Sequence, residues 1–173
     1  MSINIIGGGL AGCEAAYQVA KRGIKVNLYD MKPNKKSPAH HSDKLCELVC
    51  SNSLKAARKE SAAGMLKEEM RMLDSLLMKC ADKSKVPAGG ALAVDREIFS
   101  NLVNEEINNN LNITVINEEV TEIPDGITII ASGPLTSDLL SDKIKTMFGD
   151  SLSFYDAAAP IVKFDTVDMN KAF

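Results

Sequence analysis

From Ser2 to Ile6 the chain is largely apolar, then breaks into glycines. From Leu10 to Arg22 alanines and Val19 recur at helical spacing up to Gly23, so the opening predicts strand, tight turn and helix. Ile24 to Tyr29 alternates apolar and polar residues before Asp30. That predicts a second strand and completes a βαβ unit of about 30 residues, the minimum for a parallel pair. Residues 31–44 carry two prolines and few apolar side chains, which predicts a loop, and Leu45 to Leu54 has no decided period. From Glu60 to Ala81, Met65, Leu66, Met70, Leu73, Leu76, Leu77 and Cys80 recur every three or four residues. The spacing predicts one long amphipathic helix, with its methionines as core filler. Residues 86–90 (VPAGG) predict a turn, Ala91 to Val94 a short strand, and Asp95 to Asn109 a helix capped by Asp95. Ile113 to Ile116, Glu119 to Ile123 and Ile127 to Ile130 read as three strands, the middle run being an excursion before the chain returns to the sheet at Ile127. Leu135 to Phe148 reads as a helix and Phe154 to Phe164 as apolar and irregular.

Composition adds bounds. A chain of 173 residues, 45% hydrophobic and 25% charged, is ordinary globular material for one domain with a core. A net charge of -3 excludes a chain-wide basic coat for nucleic acid and leaves room for local basic patches such as Lys32 to Lys36. No run approaches the ~18 apolar residues of a membrane span. The N-terminus has no basic segment before its glycines, so no export signal is read and a cytoplasmic location is expected. The four cysteines, Cys13, Cys46, Cys50 and Cys80, are then expected as thiols rather than disulfides.

The chemistry concentrates at Gly7-Gly8-Gly9-Leu10-Ala11-Gly12, a G-x-G-x-x-G pattern between predicted strand and predicted helix, answered by Asp30 18 residues beyond Gly12. Gly7 permits the tight turn, Gly9 lets backbone approach a pyrophosphate, and Gly12 lets helix and strand pack closely. The N–H groups at Leu10 and Ala11 open the helix toward the phosphates. Asp30 is placed to accept from the adenosine ribose hydroxyls, and its charge disfavours the extra phosphate of NADP, leaving FAD or NAD. Ile127 to Pro134, an apolar strand ending in small residues that include Ala131 and Gly133, resembles the segment with which two-dinucleotide-domain flavoproteins approach FAD again. That favours FAD. Arg96, at a helix start just after a Gly-Gly turn, resembles the cofactor-contacting arginine of the same flavoproteins, the alternative being a solvated arginine on a capped helix. His40-His41 and the pair Cys46/Cys50 do not make a metal site. Adjacent histidines point apart, and C-x-x-x-C is not the C-x-x-C of a zinc knuckle. Cys13, Cys46 and Cys80 read as structural, whereas Cys50, in ELVCSNS, has polar company.

The segments GGGLAGCEAA, PAHHSD, ELVCSNSL, GMLKEEMR, VPAGGALAVDRE, IASGPLTSD and FYDAAAPIV, in that order from Ile3 to Phe173, resemble the folate- and FAD-dependent tRNA (uracil-5-)-methyltransferase family. The resemblance implies an α/β fold: a Rossmann-like FAD-binding domain of the glutathione-reductase-like flavoprotein type over residues 1–150, truncated, and the start of an inserted second domain over 151–173. It implies methylation at C5 of the T-loop uridine of tRNA, with 5,10-methylenetetrahydrofolate as one-carbon donor and NAD(P)H reducing the FAD. Cys50 is then expected as a catalytic thiol near the flavin, adding to uracil C6, engaging the flavin or moving protons. The family carries glutamate more often where this chain has Asp30; the shorter acid still reaches a ribose. Family chains are more than twice as long, so the resemblance implies an N-terminal portion that exposes apolar surface and does not turn over alone. Two other readings remain open at this level: the related flavoprotein that modifies the tRNA wobble uridine, which lacks an ELVCSNS segment, and a non-catalytic dinucleotide-binding module.

Overall fold

Alternation along the first strand sends Ile5 and Ile6 to opposite faces of a sheet, and helices cover both. The computed structural model describes residues 2–149 and Asp168. The expected second-domain start at 151–173 and the apolar run Phe154 to Phe164 lie outside the described residues, Asp168 apart. Strand β1 (Ser2–Ile6) leads through helix α1 (Leu10–Ala20) to β2 (Lys25–Tyr29), parallel to β1 with Ile5 opposite Leu28. Later in the chain β6 (Ile113–Ile116) adds in parallel to β2, and β7 (Thr128–Ile130) in parallel to β1. The order β6-β2-β1-β7 is that of a Rossmann sheet, its direction of winding reversing between β1 and β7.

Between β2 and β6 the chain builds a second, antiparallel sheet, β3 (Ser53–Ala56), β5 (Ala91–Val94) and β4 (Lys85–Val86) in that order. Two helices, α2 (Ala62–Met72) and α3 (Leu76–Lys83), lie within this excursion, and α4 (Arg96–Asn108) returns the chain to the main sheet. One large core joins α1, α3 and α4 to the sheet through Cys13, Ala16, Leu76, Cys80, Phe99, Val103 and Ile107. On the other face α5 (Asp138–Phe148) packs Leu140 and Ile144 against Ile6.

Three expectations are corrected. The predicted helix over 60–81 is two helices. Asp74 takes a left-handed conformation (φ 61°), and Ser75 caps α3 by accepting from Met78 N–H. Glu14 of α1 accepts from Ser75 Oγ and from the N–H of Leu76 and Leu77 at 2.8, 3.3 and 3.0 Å, holding the new helix start against α1. Only the second half of the apolar stripe is buried: Leu76, Leu77 and Cys80 are inside, whereas Leu66 and Leu73 are exposed. Glu119 to Ile123 is not a strand; Val120 and Ile123 pack instead onto the Ile6, Leu140 and Ile144 cluster. Nor is Lys32 to Lys36 a basic patch. Lys32 is buried, Lys35 pairs with Glu119 at 2.7 Å and Lys36 with Asp43 at 2.6 Å.

Candidate dinucleotide site

At the C-terminal ends of β1, β2 and β7 lies a recess of about 340 Å³, within the usual range for small-molecule sites. Gly7, Gly8, Gly9, Leu10 and Ala11 line it from the turn after β1, Asp30 from the end of β2, and Ala131 and Gly133 from the end of β7. Gly7 is held at φ 107°, where a side chain would be strained, and a Cβ there would lie 2.7 Å from the Ala131 carbonyl oxygen. Gly12 lies in the first turn of α1, and a Cβ on it would fall 1.8 Å from the Gly7 carbonyl oxygen. Gly9 has no heavy atom within 4 Å of the Cβ position, which leaves its backbone approachable.

The helix start beyond Gly9 is built for an anion. Helices α2, α3 and α4 carry side-chain caps, Ser61, Ser75 and Asp95, each accepting from a first-turn N–H. Helix α1 has no side-chain cap and no acidic residue in its first turn, so its free N–H groups and positive terminus face the recess. Asp30 accepts from Gly8 N–H at 2.8 Å through Oδ2 and from Lys32 N–H at 2.9 Å through Oδ1. Each carboxylate oxygen keeps lone-pair capacity for a ribose hydroxyl.

The segment that carries Cys50 is fastened to this loop. Cys46 N–H donates to the Gly8 carbonyl at 2.8 Å, and the Cys13 thiol donates to the same oxygen at 3.3 Å. Leu45 exchanges hydrogen bonds with the Asn104 amide of α4, and Ser100 Oγ donates to the Cys46 carbonyl at 3.1 Å. Cys46 is buried, its thiol pushed well above the usual range by the hydrogen bond with Cys13 and by burial. Burial likewise pushes the Cys80 thiol up to about 11. Cys50, four residues beyond Cys46, is exposed.

Of the sequence-predicted residues, the structure gathers the glycine loop, Asp30, Ala131 and Gly133 around one recess. Cys50 and Arg96 stand beside it rather than in its lining. Val49 lines the recess, and Arg96 Nη2 lies 3.4 Å from the Cys50 carbonyl. Arg96 lines a second recess of about 350 Å³ with His41, Lys44 and Glu47, and Glu47 faces both recesses. Sequence reading missed Lys32, His40 and Glu47. The first reads as one charge of a local basic patch, and the other two owe their place to the path of the 31–49 loop.

A doubly wound parallel sheet with a glycine turn and an uncapped helix terminus at its switch point defines a Rossmann-type dinucleotide-binding domain. The family described as Glucose inhibited division protein A matches residues 2–173, and the chain belongs to it. It is 64% identical over 173 residues to the methylenetetrahydrofolate--tRNA-(uracil-5-)-methyltransferase TrmFO of Acetivibrio thermocellus, covering 99% of this chain and 40% of that protein. To TrmFO of Staphylococcus saprophyticus it is 59% identical over 172 residues, with the same shares of each. The chain thus spans about 40% of the length of the curated relatives it matches. Among solved structures, GidA of Aquifex aeolicus superposes with a TM-score of 0.57 at 19% identity, covering 72% of this chain and 21% of that one, a likeness of fold.

Proposed function

We propose that this chain is the FAD-holding portion, residues 1–150, of an enzyme that methylates C5 of the T-loop uridine of tRNA. The one-carbon unit comes from 5,10-methylenetetrahydrofolate and the electrons from NAD(P)H. The observation that carries the reading is 64% identity along the whole chain to a protein of that printed activity. The recess suits a dinucleotide: its helix terminus is uncapped and the Gly9 backbone is approachable, so a diphosphate meets N–H groups rather than side chains.

When bound, the flavin supplies hydride chemistry. The N–H groups of α1 hold the diphosphate, Asp30 takes the adenosine ribose, and Ala131 and Gly133 let the cofactor pass close to backbone. Arg96 is assigned to the cofactor on the strength of the flavoprotein resemblance. Hydrogen bonds from Asn104 and Ser100, and that of Cys46 N–H to the Gly8 carbonyl, fix Leu45 and Cys46, so the Cys50 thiol projects from a positioned backbone. A thiolate there would make C5 nucleophilic by adding to uracil C6; a base takes the C5 proton once the new carbon is attached, and the thiolate then leaves C6.

The test uses the full-length protein with labelled methylenetetrahydrofolate and unmodified tRNA. The parent is expected to label tRNA at C5, and Cys50→Ala to lose labelling while keeping its flavin absorbance. Labelling that survives Cys50→Ala removes the thiol role; a yellow parent that never labels tRNA removes the substrate assignment.

A further inference from the structure

Two lysines are buried among the described residues, Lys32 at 3% exposure and Lys67 at 7%. Lys67 donates to the carbonyls of Ala56 and Ala63 at 3.1 and 2.9 Å, away from the recess. Lys32 lines the recess, alongside Gly8, Asp30 and His40. Its ammonium donates to the Lys44 carbonyl. No carboxylate among the described residues lies within ion-pair distance of it. The acid nearest in sequence, Asp30, accepts from the backbone N–H groups of Gly8 and Lys32 rather than from the Lys32 ammonium.

A buried ammonium with three donors, one neutral acceptor and no directly paired carboxylate is costly to keep. Its field is felt on both sides. Burial and then Lys32 hold the His40 imidazole below its usual pKa, and Lys32 also acts on the Cys46 thiol. His40, fixed by a 2.7 Å hydrogen bond between Nδ1 and Ser37 Oγ, lines the recess, and Cys46 is bonded to the Gly8 carbonyl. The charge therefore sits between the recess wall and the segment docked on the glycine loop.

We propose that Lys32 is the counter-charge for the diphosphate of the bound dinucleotide, adding a full positive charge to the partial one at the α1 terminus. The proposal rests on the dinucleotide reading above and deepens it. A lysine that only straps the Lys44 carbonyl would hold the loop in place but would not discriminate phosphate from its absence.

The experiment measures ADP, adenosine and FAD binding to the full-length protein and its Lys32→Met, Lys32→Gln and Lys32→Arg variants, by calorimetry and flavin fluorescence. Lys32→Met and Lys32→Gln are expected to weaken ADP and FAD roughly 10- to 100-fold while leaving adenosine within about twofold, because only a charge-assisted contact to phosphate is lost. Lys32→Arg retains most of the affinity. The dependence of ADP affinity on salt flattens in Lys32→Met. The ligand-free melting temperature holds or rises, since an uncompensated charge has gone. Lys32→Gln, which keeps a donor for the Lys44 carbonyl, separates charge from strap if Lys32→Met folds poorly. Parental ADP affinity in both neutral variants, or an equal loss for adenosine, overturns the assignment while FAD binding by the parent still upholds the site. A parent that binds neither FAD nor ADP overturns the dinucleotide reading and this proposal with it.

Discussion

Replacing Gly12 by alanine puts a methyl carbon 1.8 Å from the Gly7 carbonyl oxygen and 3.0 Å from its carbon. Both obstacles are backbone, so no side chain can rotate away and α1 has to slide off the turn. Sliding loosens Cys13 and Ala16, both at 0% exposure against the sheet. Overpacking of this kind costs about 1–3 kcal/mol, and a backbone clash belongs at the top of that range. At about 2–4 °C per kcal/mol for a domain of this size, a loss of about 3 kcal/mol lowers the melting temperature by about 6–12 °C. Gly9→Ala is the control. Its Cβ meets nothing within 4 Å, and φ -78°, ψ -168° is extended backbone that alanine adopts freely. That protein should melt within about 2 °C of the parent or slightly above it, because alanine narrows the unfolded ensemble. Its methyl, however, occupies the approach to the helix terminus, so ADP binding should weaken by roughly tenfold or more. Thermal melts and ADP calorimetry on both variants check this. A Gly12→Ala protein that melts with the parent refutes the packing argument, and parental ADP affinity in Gly9→Ala refutes the phosphate assignment of the loop.

Three further outcomes are expected. A thiol reagent at pH 8 should modify Cys50 quickly in the native protein and reach Cys13, Cys46 and Cys80 only after denaturation, since these three are buried and the last two have raised pKa values; rapid reaction of a second thiol contradicts it. Asp95→Ala should cost about 1 kcal/mol in urea unfolding, because Asp95 accepts from Glu97 and Ile98 N–H at 3.0 and 2.9 Å at the start of α4. Asp74 is held at about pKa 2 by hydrogen bonds from Lys21 and then Lys79. A lowered carboxylate pKa contributes stability above the unfolded value of 3.8 that is lost as pH falls through about 2, so melting temperatures of Asp74→Asn should decline less than the parent's between pH 5 and 2.

The βαβ opening was legible because its determinants are local: a glycine turn, an alanine-rich helix and an alternating strand each announce themselves within a few residues. The break at Asp74 was not, because apolar spacing runs straight across it. What stops the helix is a left-handed residue and a cap seconded by Glu14, 61 positions upstream in the chain. Val120 and Ile123 fall in a run that reads as a strand, yet they pack on Leu140 and Ile144 of α5 and on Ile6 of β1, and their run joins neither sheet. At the site, residues bound to the glycine pattern were readable as a group. Lys32 and His40 were not, since their meaning depends on where a proline-containing loop brings them, and no short-range pattern encodes that path.

In the dinucleotide fingerprint the residue between the first two glycines is ordinarily free to vary. Here it is Gly8, and a Cβ on it would lie 2.4 Å from both Asp30 Oδ2 and Leu45 Cδ2. Its vacant side-chain position is taken up by Leu45, two residues ahead of the ELVCSNS segment, and by the Asp30 carboxylate. The second glycine of GGG thus makes room for Leu45 and Asp30. A side chain at Gly8 would have to displace Leu45, whose neighbour Cys46 donates to the Gly8 carbonyl, and would so disturb the backbone that leads to Cys50.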